Sequence, residues 1–189
     1  MRITGGRARG IPLTVPKGDA VRPATDAMRQ AVFSTLAARV PGAKFLDLFA
    51  GSGAYGLEAF SRGALSGVFV EQDTRTAACI RQNIAAVCKS LGGGAGELQV
   101  INADAATVPT GVAPDLVFID PPYEMITEIA PKVFIRLGAL LATVQDPVIA
   151  FEMPGGLTLT PEGWTCVKRL GRGERQPTVC LFRAVRALL

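Results

Sequence analysis

The chain has 189 residues, of which 49% are apolar and 19% charged, with a net charge of +4. This composition allows one well-buried domain and argues against disorder, and no apolar run reaches the roughly 20 residues that cross a bilayer. Histidine is absent, which excludes imidazole acid–base catalysis, Ser-His-Asp and Cys-His nucleophiles and histidine metal sites.

Residues 1–16 alternate short extended pieces with glycines: Arg2-Ile3-Thr4, Gly5-Gly6-Arg7-Ala8-Arg9-Gly10, then Ile11-Pro12-Leu13-Thr14-Val15-Pro16. They predict a small β-hairpin with a basic, flexible tip. A helix is predicted from Asp26 to Arg39, capped by Thr25 or Asp26 and ended by Pro41-Gly42. From Lys44 the pattern becomes βαβ. Phe45–Phe49 reads as a strand, Tyr55–Arg62 as a helix, Gly67–Glu71 as a strand and Thr74–Ser90 as a long helix. Strands follow at Leu98–Ile101 and Leu116–Ile119. A helix over Ile126–Leu137 is expected to be interrupted or started by Pro131. A fifth strand covers Val148–Phe151, and strands at Thr165–Leu170 and Thr178–Phe182 are expected to close the sheet as an antiparallel pair. Alternating strands and helices imply an α/β fold, a doubly wound, mostly parallel seven-stranded sheet. A single domain over 1–189 is expected, with a basic hairpin extension over 1–22 and a core over 23–189.

Charge is unevenly distributed. Residues 1–22 carry a balance of +4, residues 168–189 carry +5, and the intervening body is −5. An acidic body with two basic ends suggests that the ends contact a polyanion, with solvated surface charge as the plainer alternative. Four cysteines (Cys79, Cys88, Cys166, Cys180) lie far apart without a CxxC pair. They read as free thiols in a reducing cytoplasm rather than as zinc ligands. The N-terminus lacks the apolar region of a signal peptide.

Gly51-Ser52-Gly53-Ala54-Tyr55-Gly56 fits GxGxxG between a predicted strand and a predicted helix, the context the motif requires. Its glycines let the backbone turn sharply and approach a ligand. Glu71 ends the next strand, placed to accept hydrogen bonds from ribose hydroxyls. Both NAD and S-adenosylmethionine suit this pattern. Against NAD stand the N-terminal elements ahead of the loop, the acid Asp47 inside the first strand, and the lack of His or of a Tyr-x-x-x-Lys pair. S-adenosylmethionine is favoured, because its cationic groups suit a carboxylate such as Asp47. Asp104, after the third strand, is placed to accept from an adenine amine, to cap the following turn, or both. No metal is expected.

The apolar run Leu116–Ile119 ends in Asp120-Pro121-Pro122-Tyr123. Two prolines stiffen the backbone and remove two donors. An acid, outward carbonyls and an aromatic ring then suit a planar ring bearing an exocyclic amine. An ordinary Pro-Pro turn is the structural alternative.

Asp47-Leu48-Phe49-Ala50-Gly51-Ser52-Gly53 together with Asp120-Pro121-Pro122-Tyr123 resembles the class I S-adenosylmethionine-dependent amino-methyltransferases. Arg2-Ile3-Thr4-Gly5-Gly6-Arg7-Ala8-Arg9-Gly10, Arg22-Pro23-Ala24-Thr25-Asp26, Arg29, Phe33 and Phe69-Val70-Glu71-Gln72-Asp73 resemble, more narrowly, the bacterial 16S rRNA guanine-N2 methyltransferase family. The similarity runs over residues 1–182. It implies that Gly51, Gly53, Glu71, Asp47 and Asp104 bind S-adenosylmethionine, with Thr25 and Arg29 in a segment that closes over it. Asp120, Pro121, Pro122 and Tyr123 would hold the target base. Arg2, Arg7, Arg9, Lys17, Arg22, Arg172 and Arg175 would contact 16S rRNA or a 30S particle. A monomer without membrane association is expected. Gln30 stands where the family commonly has Glu, and Gly173–Pro177 replaces a usual Tyr-Gly pair. A DNA or RNA adenine-N6 or cytosine-N4 methyltransferase is the alternative enzyme, and a non-catalytic RNA-binding module is the alternative outside enzymes.

Overall fold

The computed structural model describes residues 1–15, 26–93, 97–107, 111, 113–171, 173, 174 and 176–185. In chain order the elements are α1 (Asp26–Thr35), β1 (Lys44–Leu48), α2 (Ala54–Ser61), β2 (Ser66–Glu71), α3 (Thr74–Ser90), β3 (Glu97–Asn102), β4 (Leu116–Ile119), α4 (Ile126–Leu140), β5 (Val148–Pro154), β6 (Trp164–Leu170) and β7 (Pro177–Ala184). Short 3₁₀ turns cover Ala105–Thr107 and Tyr123–Met125.

The strands form one seven-stranded sheet in the order β3-β2-β1-β4-β5-β7-β6. The first five are parallel, and β7 lies antiparallel between β5 and β6. The doubly wound, mostly parallel sheet with its closing antiparallel pair is therefore as expected. Because β1 is flanked by β2 on one side and β4 on the other, the chain reverses its direction of winding there. In such sheets the crevice beyond the carboxyl ends of those two strands is where ligands bind.

Successive residues of a strand point to opposite faces, and the two cores follow that alternation. Phe45, Phe69, Phe118, Val148, Ala150, Val179 and Leu181 face α1, α2 and α3. Leu46, Leu48, Val70, Val117, Ile119, Ile149, Phe151 and Phe182 face α4. Each fully buried Phe contributes about 1.5–3 kcal/mol relative to exposure. The last glycine of the loop motif sets how closely α2 sits on the sheet. A Cβ at Gly56 would meet the rings of Phe69 and Phe45 at 2.4 and 2.5 Å.

Three expectations are corrected. Helix α1 ends at Thr35, and residues 36–39 continue as turns. Asp146 holds that corner: it accepts from Arg39 at 2.5 Å and from Arg183 of β7. Helix α4 is continuous through Pro131. The ring sits on the exposed side, while Ile126, Ile129, Ala130, Val133, Phe134 and Leu137 bury the other face. That burial outweighs the single hydrogen bond proline removes.

The N-terminal hairpin exists, bridged between Arg2 and Pro12 and by the Ile3 N–H to Ile11 carbonyl bond of 3.0 Å. Its tip is not free. The Arg7 N–H donates to the Ser61 carbonyl (2.8 Å) and the Ala8 N–H to Ser61 Oγ (2.9 Å). Gly6, at φ 76°, approaches so closely that a Cβ there would meet the Ser61 oxygen at 2.1 Å. Backbone contact with the end of α2 is what the glycines permit, rather than looseness.

Candidate active site

The glycine loop leaves β1 through three residues in the left-handed region: Phe49 (φ 57°), Gly51 (φ 52°) and Gly53 (φ 76°). Gly53 caps α2 with no side-chain hydrogen bond. Of the N–H groups in the first turn of α2, that of Gly56 donates to the Asp47 carboxyl, while those of Ala54 and Tyr55 meet no side-chain acceptor among the described residues, the arrangement by which a helix start receives an anion. Glu71, at the end of β2, lies beside the loop. Its Oε2 accepts from the Gly51 N–H at 3.0 Å and its Oε1 from the Asp73 N–H at 2.9 Å. Asp104 accepts from the Ala106 N–H at 2.9 Å, so the expected capping role is present and its side chain is exposed.

Asp47 is buried in β1 and accepts from the Gly56 N–H of α2 at 2.9 Å. Burial pushes its carboxyl up to about 8. The Gly56 hydrogen bond opposes that shift and the charge of Glu71 adds to it.

Register brings the second motif to the same edge. Leu48 of β1 pairs with Ile119 of β4, and Ile119 pairs with Phe151 of β5. The residues that follow, Phe49, Asp120 and Glu152, therefore stand in a row at the carboxyl end of the sheet. Asp120 and Tyr123 are half-buried and Pro121 is buried. The Asp120 carboxyl is held well above the usual range by burial, then by the negative charges of Glu152 and Asp47.

Sequence reasoning gives no separate role to Glu152 or Tyr55. Glu152 is 3% exposed and accepts from the Tyr55 hydroxyl at 2.9 Å. Its own carboxyl is raised by burial, while the hydrogen bond from Tyr55 and the charge of Arg29 pull it back. Tyr55 stacks on Phe118, with centroids 5.5 Å apart and planes 15° apart. A signal for Glu152 exists: it is an acid inside an otherwise apolar strand. Ending the fifth strand at Phe151 leaves it in a loop and hides that signal.

Arg29, which the resemblance puts in a segment that closes over the cofactor, lies in α1. It is wholly buried and donates to the Arg2 carbonyl (2.6 Å) and Asp26 Oδ1 (2.7 Å), with Nε 3.9 Å from Glu58. It joins α1 to the hairpin and α2. The exposed side chains of Arg2, Arg7 and Arg9 decorate that hairpin. The hairpin runs the length of α2, from Met1 beside Ser52 (3.3 Å) to Arg7 at Ser61. The eight residues of α2 separate its tip from the glycine loop by about 12 Å. Thr25, Lys17, Arg22, Arg172 and Arg175 lie outside the described residues. A cavity of about 650 Å³ lined by Phe134, Leu141, Pro147 and Trp164 lies at the opposite end of β5, away from all these groups.

Comparison with known proteins agrees with this arrangement. Ribosomal RNA small subunit methyltransferase D of Escherichia coli (strain K12) is 33% identical over 182 residues, covering 92% of this chain and 86% of that protein. Its counterpart of that name in Haemophilus influenzae is 30% identical over 186 residues, covering 92% and 89%. The solved structure of the candidate methyltransferase yhhF from Escherichia coli superposes with a TM-score of 0.80 at 30% identity, covering 97% of both chains. A candidate methylase from Haemophilus influenzae superposes with a TM-score of 0.75 at 26% identity, covering 98% of both chains. Residues 1–180 match the family described as Conserved hypothetical protein 95, and the chain belongs to that family.

Proposed function

We propose that this protein transfers a methyl group from S-adenosylmethionine to the exocyclic N2 amine of a guanine in small-subunit rRNA. The observation that carries the reading is the meeting of two motifs at the switch point of the sheet. The glycine loop after β1 and Asp120-Pro121-Pro122-Tyr123 after β4 leave adjacent strands at one edge. The rRNA substrate rests on the names of the relatives and on the basic hairpin. The choice of guanine N2, action as a monomer on a 30S particle and a cytoplasmic setting belong to the same proposal. Among the described residues, no helix is long and apolar enough to cross a membrane.

The residues present fit S-adenosylmethionine. Gly51, Gly53 and the Ala54 and Tyr55 N–H groups at the start of α2 would receive its carboxylate, Glu71 its ribose, and Asp104 its adenine amine. Asp47 is buried beneath the start of α2, against the Gly56 N–H, and would face its cationic groups. When bound, it supplies an electrophilic methyl group on a sulfonium.

An aromatic amine delocalises its lone pair into the ring and is a weak nucleophile. Asp120 and the Pro121 carbonyl accept the two amine hydrogens and turn the lone pair out of conjugation. Tyr123 stacks on the base, contributing about 1–3 kcal/mol. Holding the pieces in line provides much of the rate. With the donor bound, the amine nitrogen would take the methyl group as the sulfonium is released as a thioether, and would then shed one proton. Asp120, whose carboxyl is raised by burial and by Glu152 and Asp47, is placed to take it. The base reaches this pocket unpaired or flipped out.

The test is transfer of labelled methyl to hypomethylated 30S subunits, free 16S rRNA and DNA, followed by mapping of the modified base. The expected product is N2-methylguanine in the small-subunit RNA. Transfer confined to DNA, or to adenine or cytosine amines, would overturn the proposal in favour of the adenine-N6 or cytosine-N4 alternative.

A further inference from the structure

The buried face of α3 carries one amide. Asn83 lies there with Ala77, Cys79, Ile80, Ile84 and Val87, and is 2% exposed. A buried amide is costly unless its polar atoms find partners. Asn83 uses its oxygen and both amide hydrogens. Its Oδ1 accepts from the Thr14 N–H at 2.9 Å, and its Nδ2 donates to the Thr14 and Ser52 carbonyls, each at 2.9 Å. All three partners are backbone groups that can only donate or only accept, so they fix which end of the amide carries the oxygen.

Ser52 is the middle residue of the glycine loop. It stands between Gly51 at φ 52° and Gly53 at φ 76°, and neither neighbour has a Cβ to restrict rotation of the adjoining peptides. The Ser52–Gly53 peptide is therefore held by its hydrogen bonds. Its carbonyl goes to Asn83, and its N–H goes to the Ala50 carbonyl at 2.6 Å. Rotating that peptide would break both bonds and shift the start of α2, whose Ala54 and Tyr55 N–H groups come next. The same amide holds Thr14 of the N-terminal hairpin, and the Ser52 hydroxyl donates to Met1 Sδ at 3.3 Å. The loop is thus fastened from α3 and from the hairpin, on the side away from the sheet.

We infer that Asn83 is a positioning residue of the cofactor site: by holding the Ser52–Gly53 peptide against α3, it keeps the glycine loop and the start of α2 in the shape that receives the carboxylate of the methionine part. This rests on the S-adenosylmethionine reading above and adds to it a residue that lies outside the loop. Glu71 ends β2 and Asp104 follows β3, and the hydrogen bonds of Asn83 go to neither. Its influence falls on the amino-acid end of the ligand rather than on ribose or adenine.

The experiment compares two ligands by calorimetric titration of the full chain. S-adenosylhomocysteine carries the amino-acid end; 5′-methylthioadenosine keeps the adenosine and the thioether but lacks that end. Asn83→Asp retains an acceptor for the Thr14 N–H and offers the two carbonyls at most one proton in place of two. It is expected to weaken S-adenosylhomocysteine about tenfold, the equivalent of one hydrogen bond, and to leave 5′-methylthioadenosine within about twofold of wild type. The ratio of the two affinities is the readout, because a general loss of structure would weaken both ligands alike. A ratio that stays at the wild-type value, whether both ligands weaken or neither does, would overturn the role of Asn83. If Asn83→Asp lowers Tm too far to assay, Asn83→Ala decides by the same ratio. Wild-type protein that binds neither ligand would instead overturn the cofactor reading, so the two failures are distinguishable.

Discussion

Thr4 and Glu58 lie 54 positions apart in sequence and share two buried hydrogen bonds. The Thr4 N–H donates to Oε2 at 2.7 Å and the Thr4 hydroxyl to Oε1 at 2.8 Å. Arg62 also reaches Glu58 at 2.8 Å, and Arg29 approaches it at 3.9 Å. This single carboxylate seats the N-terminal hairpin on α2 and draws α1 to both. Glu58→Ala would take the carboxylate away from the Arg62 guanidinium and from the Thr4 N–H and hydroxyl. Breaking one side of such a buried network costs about 3–5 kcal/mol, a fall in Tm of roughly 10 °C for a chain of this size. Differential scanning calorimetry checks it; a Tm within 2–3 °C of wild type, about 1 kcal/mol, would show that the hairpin is held by other contacts.

Asp120→Ala removes the acceptor that orients the amine. Turnover should fall by about one hundredfold or more, the scale of deleting one positioned hydrogen-bonding group from an active site. The S-adenosylmethionine Kd should change little, because the glycine loop and Glu71 are untouched. Calorimetric titration and single-turnover rates together make the test. Loss of cofactor affinity with intact transfer would reverse the assignment of the two halves of the site.

Asp47 gives a pH dependence of defined sign. Its folded carboxyl titrates at about 8, against 3.8 for a free one. The folded state therefore binds more protons between these values, so stability is highest below about pH 4 as far as this group is concerned and is lost as pH rises toward 8. The slope is at most about 1.4 kcal/mol per pH unit for one proton. Asp47→Asn retains an oxygen for the Gly56 N–H and should flatten the decline in urea midpoint between pH 5 and 8. Burial also raises the Asp120 and Glu152 carboxyls, so the decline should shrink rather than vanish. An unchanged slope would mean that Asp47 is ionised in the folded protein.

Arg7 and Arg9 are exposed on a hairpin whose backbone is anchored. Replacing both with Ala should leave Tm nearly unchanged and weaken RNA binding in a salt-dependent way. For every phosphate that the protein no longer neutralises, the slope of log K against log salt becomes shallower by about 0.7–0.9. Filter binding across a salt series reads this directly. An unaltered slope would place the RNA elsewhere on the surface.

Much of the fold is legible along the chain because buried parallel strands are short apolar runs separated by helical periodicity. Thr74–Ser90 and Leu116–Ile119 are found with the bounds expected. Misreadings arise where local rules lose to packing. Pro131 lies within α4 because its ring faces solvent and six apolar residues on the other side hold the helix. Gly5 and Gly6 suggest a loose tip, yet they are the residues that let the hairpin backbone close on Ser61 and Arg62.

The same division separates the site. Gly51-Ser52-Gly53-Ala54-Tyr55-Gly56, Glu71 and Asp120-Pro121-Pro122-Tyr123 are set by sequence alone. Each is a local backbone device, and its chemistry depends on neighbours within a few positions. What only the tertiary structure decided is which distant side chains share a buried space. Glu152 reaches Tyr55 across 97 positions, and Glu152 on β5 and Asp47 on β1 raise the Asp120 carboxyl at the end of β4. Electrostatic coupling depends on separation and on the exclusion of water, and neither quantity is written in the order of residues along a chain.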